Sequence, residues 1–295
     1  MKRFCVVALL CALLCGCHPI THYPAASNSS FENPIRICGD YVYRLTEDGQ
    51  ALLSNYRGTE TVLTVPAELD GHPLTVLGRA AFLGDQNLVE VTVPRGVVAI
   101  EDACFSECHH LQRVTLPDTL VTLGDSAFNR CEELSQLTLP DSLRHIGELA
   151  FFNCAALTEL TLPAALETLG ARPLDGSGWL AAQTGEHAVL GRWYVRCLSD
   201  QAEVTVPADV TFIVGAAFMN NTSVQRVTVP QGVTALGDYC FYGCVALTQL
   251  TLPDTVTAIG EQSFVDCRHL HVTAPAGSWA AAYAAEKGIP YTEEP

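Results

Sequence analysis

Thiols are the most chemically capable side chains in this sequence. The 295 residues include 13 cysteines, and four of them lie within positions 1–17. Five of the other nine occupy one recurring position: Cys108, Cys131, Cys154, Cys244 and Cys267. Elsewhere this position holds Asp85, Ser177 and Asn221. These residue types share small size and hydrogen-bonding ability rather than redox chemistry, so the position is predicted to satisfy a buried backbone group in a turn.

Disulfide bonds are the alternative use of these thiols. Distance permits them, because adjacent strands lie ~4.8 Å apart and a disulfide tolerates ~4.4–6.8 Å between Cα atoms. Direction argues against them, because stacked side chains run parallel instead of pointing at each other. Nine is also an odd number, so at least one thiol stays free or pairs between chains. The sequence therefore favours reduced, buried thiols.

Two short stretches combine cysteine with histidine, and this combination could form a metal site. They are Cys104-x3-Cys108-His109-His110 and Cys267-x-His269-x-His271. Neither has the paired Cys-x2-Cys spacing of common zinc sites. The repeat counterpart of Cys104, Cys240, has no histidine near it. We therefore predict no metal and no cofactor.

Motifs for bond-making chemistry are absent from the sequence. It contains no G-x-S-x-G, H-E-x-x-H, P-loop or G-x-G-x-x-G pattern. Carboxylates are plentiful, but Asp118, Asp141 and Asp254 occupy positions typical of solvated turns. The sequence predicts a protein that is not an enzyme.

The elements that carry these side chains recur at a fixed interval. A short apolar segment closed by Pro repeats with gaps of 28, 23, 23, 23, 44, 23, 23 and 22 residues: Pro66, Pro94, Pro117, Pro140, Pro163, Pro207, Pro230, Pro253 and Pro275. A fixed period in the twenties is typical of a solenoid, in which each repeat forms one turn, or rung, of a stack. The two longer gaps mark insertions, the first around residues 70–73.

Each rung repeats apolar positions that it cannot bury alone. Two aliphatic positions follow the Pro, and a Phe follows them: Phe82, Phe105, Phe128, Phe151, Phe218, Phe241 and Phe264. Burying each such side chain contributes roughly 1.5–3 kcal/mol, and stacked rungs achieve that burial. Pro is expected to end each strand because it has no N–H for the next ladder bond.

A glycine usually follows the second of these aliphatic positions: Gly78, Gly124, Gly147, Gly170, Gly237 and Gly260. Positive φ would explain it, but the same position holds Glu101 and Val214, and a β-branched residue rarely adopts positive φ. We therefore predict that the glycine allows close packing against the neighbouring rung. This interpretation requires that Val214 does not have positive φ.

The repeated pattern T-L-P-x-x-L-x-x-I-G-x-x-A-F-x-x-C-x-x-L resembles the bacterial surface leucine-rich repeat family called BspA-like. The resemblance extends over roughly residues 40–291. It implies a mainly β, curved, right-handed leucine-rich repeat solenoid with a parallel sheet, displayed outside the cell. It implies no single function, because some members resemble adhesins and many have no known ligand.

The chain is predicted to form one elongated array with capped ends. Its divisions are a hairpin cap at 37–57, a first repeat block at 58–175, an aromatic hairpin insert at 176–200, a second block at 201–275 and a C-terminal helix cap at 276–295. Asp48-Gly49 provides the turn of the hairpin. Ser278 is expected to begin the C-terminal helix and Gly288 to end it.

The insert between the blocks carries three aromatic candidates for binding: Trp179, Trp193 and Tyr194. A hairpin is predicted through residues 188–190 and 193–195. One interpretation of the insert is a projecting structural bulge. The other is a recognition loop, because Trp and Tyr are favoured anchors of interfaces.

Residues 1–16 are typical of a signal peptide, with basic Lys2 and Arg3 before an apolar segment at 4–14. The following Leu14-Cys15-Gly16-Cys17 resembles a bacterial lipobox, which implies lipidation at Cys17. Residues 17–36 then form a flexible tether. The alternatives are ordinary secretion and an uncleaved anchor of about 13 apolar residues, which is short for a membrane span.

The net charge of −16, from 16 basic and 32 acidic residues, argues against two classes of partner. Nucleic acid and anionic lipid surfaces both require clustered Lys and Arg. Contact with a membrane is therefore expected through an N-terminal lipid only. The protein is predicted to be a monomer.

The outward face of the predicted sheet is the other candidate binding surface. Strand alternation points two positions outward, a Thr two residues before each Pro and a variable residue four before it. We call the second set the variable row: Val62, Glu90, Arg113, Gln136, Glu159, Glu203, Arg226, Gln249 and His271. Its members from Glu90 to Gln249 could contact a ligand. Alternatively, they form cross-strand pairs, Glu90 with Arg113 and Glu203 with Arg226, at ~0.2–1 kcal/mol each.

Three functions are consistent with these features. The leading hypothesis is a lipid-anchored protein at the bacterial cell surface that binds a protein or a glycan without catalysis. A structural envelope spacer is the second, and saturable binding distinguishes it from the first. A solute-capturing lipoprotein is the third, and it needs an enclosed pocket that a solid repeat core does not provide.

Overall fold

The computed structural model describes residues 34–294 as a parallel β solenoid. The mainly β repeat architecture predicted from the sequence is therefore confirmed. The predicted signal peptide, the lipidation candidate Cys17 and nearly all of the predicted tether lie outside the described residues.

The described residues form 23 strands and two helices. In the first half, these are β1 (Arg36–Cys38), β2 (Tyr41–Leu45), β3 (Ala51–Tyr56), β4 (Val62–Thr64), β5 (Glu68–Leu69), β6 (His72–Leu77), β7 (Glu90–Thr92), β8 (Ala99–Ile100), β9 (Arg113–Thr115), β10 (Thr122–Leu123), β11 (Gln136–Leu137), β12 (His145–Ile146) and β13 (Thr168–Leu169). In the second half, they are α1 (Gly178–Ala181), β14 (His187–Leu190), β15 (Trp193–Cys197), β16 (Glu203–Thr205), β17 (Phe212–Ile213), β18 (Arg226–Thr228), β19 (Ala235–Leu236), β20 (Gln249–Thr251), β21 (Ala258–Ile259), β22 (His271–Pro275), α2 (Trp279–Lys287) and β23 (Tyr291–Glu294).

Most rungs contribute two short strands to two different sheets. The strand before each Pro belongs to one sheet, with order β11-β9-β7-β4 in the first block and β16-β18-β20-β22-β23 in the second. The second aliphatic position belongs to another sheet, which contains β6-β8-β10-β12-β13 in the first block and β14-β15-β17-β19-β21 in the second. The pairs between rungs are parallel, and residues 23 positions apart face each other, as Glu90 and Arg113 do. The sequence predicted only the first of these strands.

The remaining side of each rung is a turn, which we call the turn side. Each turn has two positions of positive φ, as at Ala103 (53°) and Glu107 (63°). N–H groups of one turn donate to carbonyls of the next, as Phe105 N does to Ala127 O at 2.9 Å. The first of the two positions holds unrelated residue types: Ala80, Ala103, Ser126, Leu149, Arg172, Ala216, Tyr239 and Gln262. This variety is the reason why the sequence, which predicted a turn at the cysteine position, did not reveal its two positions of positive φ.

The recurring glycine has the role predicted for it. Val214 and these glycines are absent from the residues with positive φ. A Cβ added at Gly124 would lie 2.6 Å from Asp102 N, and one at Gly147 would lie 2.5 Å from Asp125 N. Close approach of two rungs therefore explains the glycine.

The core consists of stacked side chains from successive rungs. The rings of Phe82, Phe105, Phe128 and Phe151 stack with centroids 4.8, 5.3 and 5.9 Å apart. The buried residues separate into two clusters, one for each block, which meet at the insert. Each block thus has a core of its own.

Both predicted caps are present. Strands β2 and β3 form the N-terminal hairpin through a turn at Gly49 (φ 75°), and β1 adds a third strand. At the other end, the Ser278 side chain accepts a hydrogen bond from Ala281 N, and Gly288 ends α2 with φ 68°. Beyond α2, the chain ends in β23, which pairs with β22. The insertion in the first rung is a small hairpin of β5 and β6.

Candidate functional site

The variable row lies on the outer surface of the sheets that precede each Pro. Along β9, Arg113 and Thr115 are exposed, whereas Val114 between them is 3% exposed and belongs to the core. The same alternation holds in β16 and β18. Strand geometry therefore presents the row to solvent, as predicted.

Charged members of the row contact each other along the sheet. Arg113 Nη1 lies 3.1 Å from Glu90 Oε2, and Arg113 Nε donates to Gln136 Oε1 at 2.6 Å. In the second block, Arg226 pairs with Glu203. The predicted cross-strand pairs are present, and exposed pairs of this kind contribute ~0.2–1 kcal/mol each.

The two blocks carry the same outward series. Glu203, Arg226 and Gln249 each lie 113 residues after Glu90, Arg113 and Gln136. Both series sit on parallel strands in the same order, so the molecule presents one Glu-Arg-Gln surface twice.

The row is interrupted at the end of the first block. Glu159 is exposed but belongs to no strand, and the four-stranded sheet ends with β11. Leu137 is partly exposed there, whereas Val91 and Val114 at the same position of other rungs are 2% and 3% exposed. The row is therefore divided, and Glu159 lies between two separate surfaces.

The aromatic residues of the insert are not available as a binding surface. Trp179, Trp193 and Tyr194 are 8%, 4% and 0% exposed. The predicted hairpin of β14 and β15 is present, but β15 also pairs in parallel with β17, which places the hairpin within the solenoid stack. The rings fill the core where the blocks meet, so the structure supports the structural interpretation of the insert over the recognition loop. The insert does not project from the stack as that interpretation expected.

An ion pair that sequence reasoning missed lies at the insert. The Asp175 carboxylate is 10% exposed; its Oδ2 lies 2.9 Å from Arg172 Nε and 3.5 Å from Arg196 Nη2. Arg196 also donates to Ala216 O of the second block at 3.0 Å. The spacing of these residues gave no signal, because β15 approaches Asp175 only through tertiary folding.

The recurring thiols satisfy backbone groups, as predicted. In each case Sγ donates to the carbonyl of a Phe 26 positions earlier, as from Cys131 to Phe105 at 3.1 Å and from Cys244 to Phe218 at 3.0 Å. Burial raises the pKa of Cys108 to about 12, and that of Cys154 to about 12. All nine cysteines between positions 34 and 294 are free.

The two cysteine–histidine stretches do not gather ligands around one point. His109 Nδ1 lies 3.6 Å from Glu132 Oε1, and His110 Nδ1 lies 3.0 Å from Glu133 Oε1. Cys108 points into the core instead. Within the described part of the chain, no group of three or more His, Cys, Asp or Glu residues could hold a metal ion.

Acidic side chains form a column beside the glycine position. Asp102 Oδ1 accepts a hydrogen bond from Asp125 N at 3.0 Å, and Asp125 Oδ1 accepts one from Glu148 N at 2.8 Å. Burial raises the pKa of Asp125 and of Glu148, and the neighbouring carboxylates Asp125 and Asp238 raise the pKa of Glu148 further. Asp102 and Asp125 therefore each satisfy a backbone N–H of the next rung.

No helix among residues 34–294 is both long and apolar enough to cross a membrane.

No curated protein matches the chain. Similar solved structures include a leucine-rich repeat protein of T. pallidum. It is 24% identical, and the match covers 88% of this chain and 98% of that chain with a TM-score of 0.44. A leucine-rich cell surface protein of Faecalibacterium prausnitzii is 19% identical, and the match covers 85% of this chain and 97% of that chain with a TM-score of 0.41. The pneumococcal vaccine antigen PcpA is 14% identical, and the match covers 89% of this chain and 99% of that chain with a TM-score of 0.41.

A family model supplies the firmer relationship, since it rests on the repeat pattern of the sequence. The model for the BspA-type leucine-rich repeat region matches six copies over residues 74–181 and 194–276. These ranges cover more than half of the chain and include the rungs of both blocks. The chain belongs to the BspA-type leucine-rich repeat family.

Proposed function

We propose that this protein is a lipid-anchored, extracytoplasmic binding protein that recognises a protein or glycan partner without catalysis. The observation that carries the proposal is the exposed Glu-Arg-Gln series, which two separate sheets present in the same order. Membership in a family of surface leucine-rich repeat proteins supports the location. The partner is expected to contact the variable row rather than the buried insert.

The structure of the row indicates how such a partner would be held. Arg113 is 46% exposed and Arg226 is 47% exposed, so each keeps donors on its open side while one side contacts Glu. A guanidinium fixed in this way forms hydrogen bonds with a smaller loss of side-chain freedom. A partner with paired acceptors, spaced to meet both Arg residues, would therefore fit the row.

A structural spacer is the second candidate. The pairing of Glu90 with Arg113 favours it, because these charges already satisfy each other without a partner. A spacer would need the solenoid only for its length and stiffness. The two candidates differ in whether the row binds anything saturably.

The experiment measures binding of the purified full chain to immobilised extracellular matrix proteins and envelope glycans. The double variant Arg113→Glu/Arg226→Glu is expected to lose saturable binding. The control is Arg95→Glu/Arg268→Glu, which makes the same charge change at residues outside the row whose side chains are 80% and 81% exposed. Absence of saturable binding by the unmodified chain would favour the spacer, and equal loss in both variants would indicate a charge effect only.

The lipid anchor is tested separately. Cells that express the full chain are expected to incorporate labelled fatty acid into it and to carry it into the detergent phase after extraction. The Cys17→Ala variant should lose both properties, because the acyl chains supply the membrane affinity at ~0.8 kcal/mol for each buried CH₂. Label retained in that variant would contradict Cys17 as the lipidation site.

A further inference from the structure

The first turn of the solenoid has carbonyl groups that no preceding rung can satisfy. In later rungs, Ser106 O accepts a hydrogen bond from Gly84 N, and Asp102 O accepts one from Ala80 N. The corresponding carbonyls of the first rung belong to Leu83 and Arg79. The hairpin cap satisfies only the carbonyl between them, through Tyr56 N to Ala81 O at 2.9 Å. Among the described residues, the carbonyls of Leu83 and Arg79 have no donor.

A cavity of about 330 Å³, which is open to solvent, lies where the cap stops short of this turn. Its wall includes Asn55, Tyr56, Leu83, Asp85, Gln86 and Asn87. This volume is at the lower end of the range of small-molecule sites, ~300–1,000 Å³. The cavity therefore suits a ligand of one or two rings.

The wall offers neutral hydrogen-bonding groups and one carboxylate. The side-chain amides of Asn55 and Asn87 have no partner within residues 34–294, and both residues are exposed. Asp85 Oδ1 already accepts from Asn87 N and Leu88 N. No Lys, Arg or His lines the cavity. Donors, acceptors and one negative charge, without a cation, favour a neutral ligand over an anion.

An added peptide strand does not fit this end of the solenoid. The turn alternates between ordinary and positive φ, at Ala80 (56°) and Gly84 (69°), so its carbonyls lack the spacing of a strand edge. The middle carbonyl, of Ala81, is also occupied by the cap. The open carbonyl of Leu83 suits a single hydroxyl donor instead. Next to it, the Leu83 side chain is 51% exposed and offers an apolar surface.

We propose that this cavity is a carbohydrate site that takes a neutral mono- or disaccharide. Sugar hydroxyls would donate to Leu83 O and exchange hydrogen bonds with the amides of Asn55 and Asn87. The C–H face of the sugar would pack on the Leu83 side chain. The site is distinct from the variable row and does not depend on the function proposed for that row.

The test uses saturation-transfer difference NMR with the purified full chain and a panel of neutral sugars: glucose, galactose, N-acetylglucosamine, maltose, lactose and chitobiose. At least one is expected to give a saturable signal. Asn87→Trp places a large exposed side chain in the cavity, so the apparent Kd of that sugar should rise at least tenfold. The matched control Ser223→Trp, at the same position of a second-block rung, should change it less than twofold.

Three outcomes would overturn the proposal. One is the absence of a saturable signal from every sugar in the panel. Another is an Asn87→Trp variant that binds as tightly as the unmodified chain. The third is a preference for sulfated or sialylated analogues added at equal concentration, because the wall has no cation to favour them.

Discussion

At the scale of single residues, the recurring cysteine position combines a chemical requirement with a steric one. The side chain must be small enough for a crowded turn and must bond to a backbone group that the turn leaves buried. Cys131 meets this by donating to Phe105 O, whereas Asn221 Oδ1 accepts from Val224 N at 2.9 Å. The position therefore tolerates several residue types, and its cysteines are structural.

Thiol reactivity provides the first prediction. In the native full chain at pH 8, seven of the nine cysteines beyond position 34 are expected to resist a thiol reagent, because they are buried. Burial raises the pKa of Cys244 to about 12, which suppresses its reactive thiolate form. Cys38 and Cys197 are partly exposed and should react. Denaturant should add about seven thiols to the native count, and a smaller increase would indicate disulfides.

The pKa of Glu148 gives a pH-dependent prediction. Burial raises the pKa of Glu148 in the folded state. Glu148 therefore favours the folded state at pH values below its unfolded pKa, and this stabilisation is lost as the pH rises through the folded pKa. At pH 7, the free energy of unfolding of Glu148→Gln should therefore exceed that of the unmodified chain by less than about 1 kcal/mol, because solvent screens this partly exposed group. The difference should vanish near pH 4. Urea denaturation at both pH values measures this difference in stability. The control is Glu167→Gln, at an exposed residue. A stability difference that does not depend on pH would contradict the prediction.

At the scale of elements, the sequence predicted those parts whose side chains are chemically distinctive. Pro marked the end of each strand, Phe marked the stacked ring of the core, and Gly marked the close approach of two rungs. Ser278 and Gly288 marked the ends of α2. The second strand of each rung was missed because its outward residues vary, from Ala99 to His145. The exposed row was predicted by alternation, but its interruption at Glu159 was not, because Glu159 has the same spacing to its Pro as the other members and yet belongs to no strand.

The ion pair at the insert leads to a prediction for this element. Asp175→Ala removes the carboxylate that Arg172 and Arg196 share, and it leaves two partly buried positive charges without a carboxylate partner. Breaking a buried pair in this way costs ~3–5 kcal/mol, and partial exposure of the arginines places the expected loss near the lower value. Urea denaturation measures the loss. The exposed Asp200→Ala should change stability by less than ~0.5 kcal/mol, and an equally small effect of Asp175→Ala would show that the pair is not stabilising.

At the scale of the molecule, the chain is two similar stacks joined by an insert that both cores share. Trp193 belongs to the buried cluster of the first block, and Tyr194, the next residue, belongs to that of the second. Neighbouring side chains on β15 thus contact both cores. In a repeat protein, each rung is stabilised mainly by its neighbours, so the junction determines whether the blocks unfold together.

Trp193→Ala tests this coupling. The ring is 4% exposed and stacks on Phe212 at 4.6 Å, so its removal should cost ~3–5 kcal/mol. Because the loss falls on the junction, urea unfolding followed by far-UV circular dichroism should change from one transition to two, one for each block. Tyr291→Ala, which removes an aromatic side chain from a residue that is 41% exposed, should leave a single transition. A single transition with a loss below about 1 kcal/mol for Trp193→Ala would mean that the insert is peripheral to the fold, and the aromatic residues would again be candidates for binding.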